Sequence, residues 1–162
     1  MERELTHTHF ETPVGWLKIV ATHTHLTEIT YSDESAPART CDWNHPLIAE
    51  ATSQLSEYFA GKRTTFDLPL DPSRGTAFQK KVWKALTTIP YAGTASYGEI
   101  ATKIRSPQAS RAVGQANNRN PFSIVVPCHR VIGANGQLTG YGGGIKRKRW
   151  LLEHEAREPK GK

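Results

Sequence analysis

Along residues 1–35, apolar side chains alternate with Thr, His and charged residues, as in Leu17-Lys-Ile-Val-Ala21 and Leu26-Thr-Glu-Ile-Thr-Tyr31. A period of two with one polar set predicts hairpin strands with a wet face. From Pro46 the period changes: Leu47, Ile48, Ala51, Leu55, Tyr58 and Phe59 recur at helical spacing, and Gly61 supplies a stop. Thr65-Phe-Asp-Leu68 alternates again as a strand, and Pro69, Pro72 and Gly75 mark a connection. Next, Phe78, Val82, Ala85, Leu86 and Ile89 line one side of a helix that begins near Thr76. Ser96 and Glu99 have capping-box spacing and open a helix containing Ile100 and Ile104. Ser106-Pro107 is a second start signal, with Ser as cap and Pro at the first helical position of a helix over 107–117. Two short helices joined by a tight turn predict a helix-turn-helix. Ile124-Val-Val126 reads as a short buried strand ended by Pro127, Asn135-Gly136 as a type I′ turn, and 146–157 as a final helix.

The connection at Pro69–Gly75 is also where the charge changes sign. Residues 1–75 carry six Lys/Arg and eleven Asp/Glu, whereas residues 76–162 carry fifteen and four, within a net charge of +6. Two domains are expected, 1–71 a small α/β unit and 72–162 a basic, mainly helical one. Such an excess on one compact half points to a polyanion, most often nucleic acid. With two cysteines in 162 residues there is no disulfide framework, which suits a reducing compartment. No apolar run approaches membrane-spanning length and the charged N-terminus lacks a signal core, so a cytoplasmic protein is expected.

Chemistry concentrates at Pro127-Cys-His-Arg130. Placed on a turn or the first turn of a helix, Cys128 would face orphan backbone N–H groups that favour thiolate. His129 is its immediate neighbour, which disfavours a direct Cys–His bond and favours a relay through water. Glu155 falls on the apolar side of the last helix with Lys148, Leu151 and Leu152, and a carboxylate there needs a partner such as His129. Lys146-Arg-Lys-Arg149 reads as a solvated basic cluster. In the second helix of the helix-turn-helix, Ala109, Val113 and Ala116 follow core spacing, leaving Ser110, Arg111, Gly114 and Gln115 outward. Small residues around one Arg suit close approach to a narrow groove better than base reading in a wide one. The pairs His7/His9 and His23/His25 are expected on the solvent face of paired strands, and Cys41 is read as an idle thiol in a polar loop.

These motifs together closely resemble the O6-alkylguanine-DNA alkyltransferases, most of all the small bacterial type. The resemblance rests on Pro127-Cys-His-Arg130, Arg111-Ala-Val-Gly114, Asn120-Pro121, Tyr141 with its glycines, and Trp150-Leu-Leu-Glu-His-Glu155. It covers about residues 75–157 and implies an N-terminal RNase H-like α/β domain followed by a helical domain with the helix-turn-helix. The implied activity is direct repair: O6-alkylguanine is flipped out of double-stranded DNA and its alkyl group passes irreversibly to Cys128, one repair per molecule. His129 would deprotonate Cys128 through water, Glu155 would orient His129, and Asn120 and Arg130 would brace the site. Tyr97, Val131, Tyr141, Gly142 and Gly143 match pocket positions, Gly142 standing where some members have Ser. Arg111 matches the residue that fills the vacated stack, and Tyr97, Ser110, Gly114, Gln115, Ser106, Gln79 and Ala134 match DNA-contact positions in the minor groove. The resemblance implies a monomer that acts alone or cooperatively along DNA with low sequence specificity. No cofactor is implied, and since Cys41 and the scattered histidines do not match the zinc ligands of larger relatives, no metal either. Rival readings are a damage sensor without catalysis, a Cys-His hydrolase and a transcriptional regulator; Cys128 disfavours the first and the helix-turn-helix the second, while residues 1–70 look too short for a sensing domain.

Overall fold

The computed structural model describes residues 5–32 and 44–157. Backbone contacts divide the chain into two compact units, one ending at Ser73 and the next beginning at Arg74. Cys41 lies outside the described residues. No helix among those described is long and apolar enough to cross a membrane.

The first unit is an antiparallel sheet in the order β1 (Thr6–Thr12), β2 (Gly15–Ala21), β3 (Leu26–Ser32), with α1 (Pro46–Phe59) against β1 and β2. The register sets Leu17 opposite Phe10 and Tyr31, and Ile19 opposite Ile29. Leu17, Ile19, Leu26 and Ile29 of the sheet and the apolar stripe Ile48, Ala51, Leu55 and Tyr58 of α1 are all fully buried. His45 caps α1 by accepting the Leu47 N–H at Nδ1, and its Nε2–H donates to Thr22 O. At the other end Gly61 takes φ +78°, so its N–H reaches Tyr58 O while the Lys62 N–H reaches Glu57 O, the double bond of a Schellman stop.

Two expectations fail in this unit. Thr65–Leu68 joins no ladder, because the side chain of Gln54 takes both backbone groups of Asp67, accepting its N–H at 2.9 Å and donating to its carbonyl at 3.1 Å. Nor do the histidines share a wet face: His9 is buried, and Thr22–His25 forms the turn between β2 and β3, held by Thr22 N–H on His25 O.

In the second unit α2 (Ala77–Leu86), α3 (Tyr97–Lys103) and α4 (Ser110–Asn118) pack together over Val82, Leu86, Ile100, Ala101, Val113 and Ala116. Capping boxes start two of them, Thr76 with Gln79 and Ser96 with Glu99. Trp83 Nε1–H donates to Ala116 O at 2.8 Å and ties α2 to the end of α4. A short parallel pair, β4 (Ala95–Ser96) with β5 (Val131–Ile132), joins the entry of α3 to the segment after Cys128. The last helix, α5 (Ile145–Arg157), lies against Cys128–Arg130.

The helix-turn-helix is present, but α4 begins later than the Ser-Pro signal suggests. Ser106 closes α3, its N–H bonding Ala101 O, while its carbonyl accepts from Ala109 N–H, so 106–109 is a turn. With both backbone groups of Ser106 used, α4 starts at Ser110 behind Ala109, without a side-chain cap. The Asn135-Gly136 turn also differs from the type I′ expectation. Only Gly136 has positive φ, +86°, and the Gly136 N–H bonds Gly133 O, giving a turn followed by one left-handed residue.

Ala92 holds φ +68° at the third position of the Pro90–Gly93 turn, where Gly93 N–H donates to Pro90 O. Glycine is the usual occupant of such a place, and a Cβ there costs about 1 kcal/mol. Ala92→Gly is therefore expected to raise the urea midpoint of the second unit with an unchanged slope. A lowered midpoint would mean that the Ala92 methyl packs better than the backbone strain costs.

Candidate active site and nucleic-acid interface

Cys128 is delivered by a coil of tight turns and not by the strand expected at 124–126. Val125 N–H bonds Ser123 O across Ile124 at φ +73°, a three-residue turn of the rare positive-φ kind, and Val126 N–H bonds Phe122 O. Cys128 N–H then bonds Val126 O across Pro127, at φ −79° and ψ 65°, the commoner inverse turn. Ile124, Val126 and Phe122 are buried, so the apolar run reads correctly as interior and wrongly as a ladder. A β-branched residue in the left-handed region costs about 1–3 kcal/mol and persists only where its surroundings hold it. Asn120 does much of that holding. Its Oδ1 accepts Phe122 N–H at 2.9 Å, while Nδ2 points to Val126 O at 2.8 Å, Phe122 O at 3.2 Å and Cys128 Sγ at 3.1 Å.

His129 and Arg130, on the same single turn Cys128–Arg130, converge on Glu155 of α5. The carboxylate accepts from His129 Nε2 at 2.7 Å, Arg130 Nε at 2.9 Å, Arg130 Nη2 at 3.0 Å and Ala92 N–H at 3.1 Å. Arg130 Nη1 donates to Ile89 O, and its guanidinium lies 5.7 Å from the centre of the Tyr91 ring. Burial works against the Glu155 charge, yet the bonds from His129 and Arg130 outweigh it and hold the carboxyl well below its usual range. An ionised carboxylate only accepts, so His129 carries its proton on Nε2 and presents Nδ1 as a base. Nδ1 is buried with no hydrogen-bond partner among the described residues. Burial pushes the His129 pKa down, against the pull of Glu155, so the imidazole is neutral at rest.

Lys148 overturns the reading of 146–149 as a solvated cluster: its side chain is fully buried. Its Nζ donates to Thr139 O at 2.7 Å, the same carbonyl that Tyr97 OH bonds at 2.9 Å, and lies 6.0 Å from the centre of the Tyr97 ring. Desolvation lowers the Lys148 pKa to about 8, partly opposed by Cys128. The thiol moves the other way, pushed up to about 11 by burial, with Asn120, Lys148 and the backbone opposing. A one-turn helix does not supply the thiolate stabilisation expected from its N-terminus. In its place the site holds a neutral thiol within the field of the Lys148 cation, followed in the chain by a neutral imidazole.

On α4, Arg111 and Gln115 are exposed and Ser110 and Gly114 half-buried, with Val113 and Ala116 turned inward as expected. The Tyr97 ring lies against Gly114, 3.7 Å from where a Cβ would be. No side chain on this face is long except Arg111 and Gln115.

Two family models span nearly all of this chain. The one described as 6-O-methylguanine DNA methyltransferase, ribonuclease-like domain, matches residues 5–72, and the one described as its DNA binding domain matches 77–157. The chain belongs to the 6-O-methylguanine DNA methyltransferase family. It is 54% identical over 147 residues to the methylated-DNA–protein-cysteine methyltransferase of Mycobacterium tuberculosis, covering 90% of this chain and 88% of that one. The protein of that name in Methanosarcina acetivorans is 49% identical over 149 residues, with 90% and 95% covered. Among solved structures, M. tuberculosis OGT in complex with DNA superposes with a TM-score of 0.83 at 51% identity, covering 92% of this chain and 91% of that one. The same organism's O6-methylguanine methyltransferase gives 0.83 at 46%, with 98% and 97% covered.

Within this methyltransferase fold, the positions named from sequence divide into two groups. Asn120 bonds Cys128, the next two residues His129 and Arg130 both bond Glu155, and Tyr97 shares the Thr139 carbonyl with Lys148, whose charge acts on Cys128. Val131, which follows Arg130 directly, and Tyr141 are buried, Gly143 O accepts from Arg147, and Gly142 is open except toward Asn118 O. Ser106 is half-buried in the α3–α4 turn, Ala134 is exposed, and Gln79 spends its carbonyl on the Thr76 N–H of its capping box. Lys148 and Asn117 are the residues that sequence reasoning missed; Asn117 donates to Cys128 O at 3.2 Å. The signal for Lys148 was its place one helical turn before Leu151 and two before Glu155, on the buried side of α5.

Removing the Glu155 charge would leave the Arg130 guanidinium buried without its counter-ion. Glu155→Gln is expected to destabilise the protein by about 3–5 kcal/mol at pH 7. A carboxylate with a depressed folded-state pKa contributes stability that is present above its ordinary range and lost as pH falls through the folded value. The gap between wild type and variant should therefore narrow below about pH 4.5, as urea unfolding from pH 3 to 7 would reveal. His129, also depressed, adds acid destabilisation below pH 6.5. A gap that is constant with pH would contradict an ionised Glu155.

Proposed function

We propose that this chain repairs O6-alkylguanine in double-stranded DNA by moving the alkyl group to Cys128, once per molecule. The observation that carries this reading is the joining of a buried Cys128 to a charge-anchored His129–Glu155 pair, in a domain whose exposed helix bears Arg111. His129 Nδ1 takes the thiol proton through a bridging water, and Glu155 balances the imidazolium that forms. Lys148 offsets the thiolate charge, and Asn120 aims the sulfur. The sulfur then forms a bond to the alkyl carbon as the carbon–O6 bond breaks, and the guanine oxygen keeps the electron pair. A thioether has no ready hydrolysis route, so the protein is consumed.

The target base lies inside a duplex and must leave the stack to reach Cys128, at a cost of a few kcal/mol. Arg111, the exposed arginine on α4, fills the gap and offsets part of that cost. The small residues Ser110 and Gly114 around it let α4 approach closely, which suits the minor groove and its poor sequence code. Residues 72–162 carry all of this chemistry, and 1–71 form a separate domain. The protein acts as a monomer in the cytoplasm.

Mixing the protein with an O6-methylguanine oligonucleotide and weighing it intact and as peptides should show one added methyl on Cys128 and none on Cys41. An unmodified Cys128 with the lesion intact would sink the reading. Arg111→Ala should slow repair in duplex DNA by about tenfold or more while leaving reaction with free O6-benzylguanine near wild type, since the free base has no stack to leave. Equal losses on both substrates would remove Arg111 from the flipping step.

A further inference from the structure

Two helices of this chain close with the same pair of hydrogen bonds and differ at the residue between them. α1 uses Gly61, the residue the motif prefers. α3 uses Arg105 at φ +65°: its N–H bonds Thr102 O at 2.9 Å, while Ser106 N–H bonds Ala101 O at 2.8 Å. A Cβ in the left-handed region crowds its own backbone, and glycine would relieve that at once. The Arg105 side chain gains nothing nearby in return. It is exposed, and among the described residues its guanidinium has no hydrogen bond or ion pair. A cation is favourable at a helix C-terminus, but Lys103 already supplies one in the last turn. The only acid on α3, Glu99, is occupied at the far end by the Ser96 N–H. A strained backbone carrying an idle charge points to a partner outside the chain.

The turn is well placed for such a partner. Ser110, the first residue of α4, sits over Gly98 at the start of α3, where a Cβ would lie 3.7 Å from its Oγ. Arg105 stands at the opposite end of this seven-residue helix, about 10 Å away. The minor groove is about 6 Å wide, so with α4 on the groove a phosphate of its wall falls within reach of an extended arginine. We propose that Arg105 is a phosphate-binding residue of this chain's DNA interface, gripping the backbone beside the groove that Arg111 enters. The proposal rests on the DNA-binding reading above. Such a contact adds affinity and register without reading sequence.

Affinity of the full-length protein for an undamaged duplex, followed by fluorescence anisotropy between 50 and 200 mM salt, tests it. Arg105→Gly should bind more weakly, with the slope of log affinity against log salt shallower by about 0.9, the value for one phosphate. It should also melt at a higher temperature, because the turn loses its strain. Arg105→Asn, which suits the left-handed turn but lacks the charge, should show the same shallower slope, and Arg105→Lys should keep the wild-type slope. An unchanged slope in Arg105→Gly and Arg105→Asn overturns the proposal while wild-type binding stands. Failure of the wild type to bind duplex DNA at any of these salt concentrations would overturn the DNA-binding reading itself.

Discussion

The Glu155 carboxylate is the point on which the second unit depends. It accepts four hydrogen bonds from two separate stretches of chain: Ala92 N–H in the loop ahead of α3, and His129 and Arg130 beside the cysteine. α5 therefore does more than cover apolar surface. It carries a buried negative charge that fixes the loop before the helix-turn-helix and the turn bearing the nucleophile in one frame. Burying a carboxylate is expensive unless it is paired and fully bonded, and here every lone-pair direction is used. Ionisation of Glu155 also decides the tautomer of His129, so the same contact that holds the fold assigns Nδ1 as the base in the proposed reaction.

Rigidity elsewhere follows from that frame. Ile124 and Ala92 both sit at positive φ, and both precede the Glu155–Arg130 cluster in sequence. Neither would persist in an isolated peptide. Ile124 is held by burial and by Asn120, which bonds both ends of the 122–128 coil and the sulfur itself. A strand would have held Cys128 with ladder bonds to a neighbour. The coil instead shortens the path between Asn120 and Cys128 until one amide spans it.

Much of this was legible in the order of residues. Period-two and helical spacings located the hairpin strands, α1, α2 and α5, because each buries one face and the apolar positions record which, and the Ser96–Glu99 capping-box spacing located α3. Motifs at Pro127–Arg130, Arg111–Gly114 and Trp150–Glu155 named the chemistry before any geometry. The rest was hidden for physical reasons. Ile124–Val126 has the composition of a strand since β-branched residues suit any tight interior, and nothing local reports that a side-chain amide would take over the ladder's bonds. Thr65–Leu68 failed in the same way through Gln54. Lys148 read as solvated because three charged neighbours surround it in sequence, although its helical position matched Leu151 and Glu155. Ser106-Pro107 resembled a helix start, but closing α3 had first claim on the Ser106 backbone.

The burial of Cys128 runs against its proposed role as the acceptor, since desolvation pushes the thiol to about 11 where a reactive cysteine is normally depressed. The conflict resolves for a protein that is used once. An exposed thiolate would be lost to oxidants and stray electrophiles before meeting a lesion, whereas a buried neutral thiol is inert at rest. Reactivity then has to be supplied locally and on demand. Lys148, itself lowered to about 8, and His129, held neutral with Nδ1 unpaired, are within the same buried cluster, one able to balance the sulfur's charge and the other to take its proton. Neither costs stability through exposure of charge, because Thr139 and Glu155 satisfy them in the resting fold. The arrangement keeps the nucleophile protected by the same desolvation that strengthens each electrostatic contact when the thiolate forms.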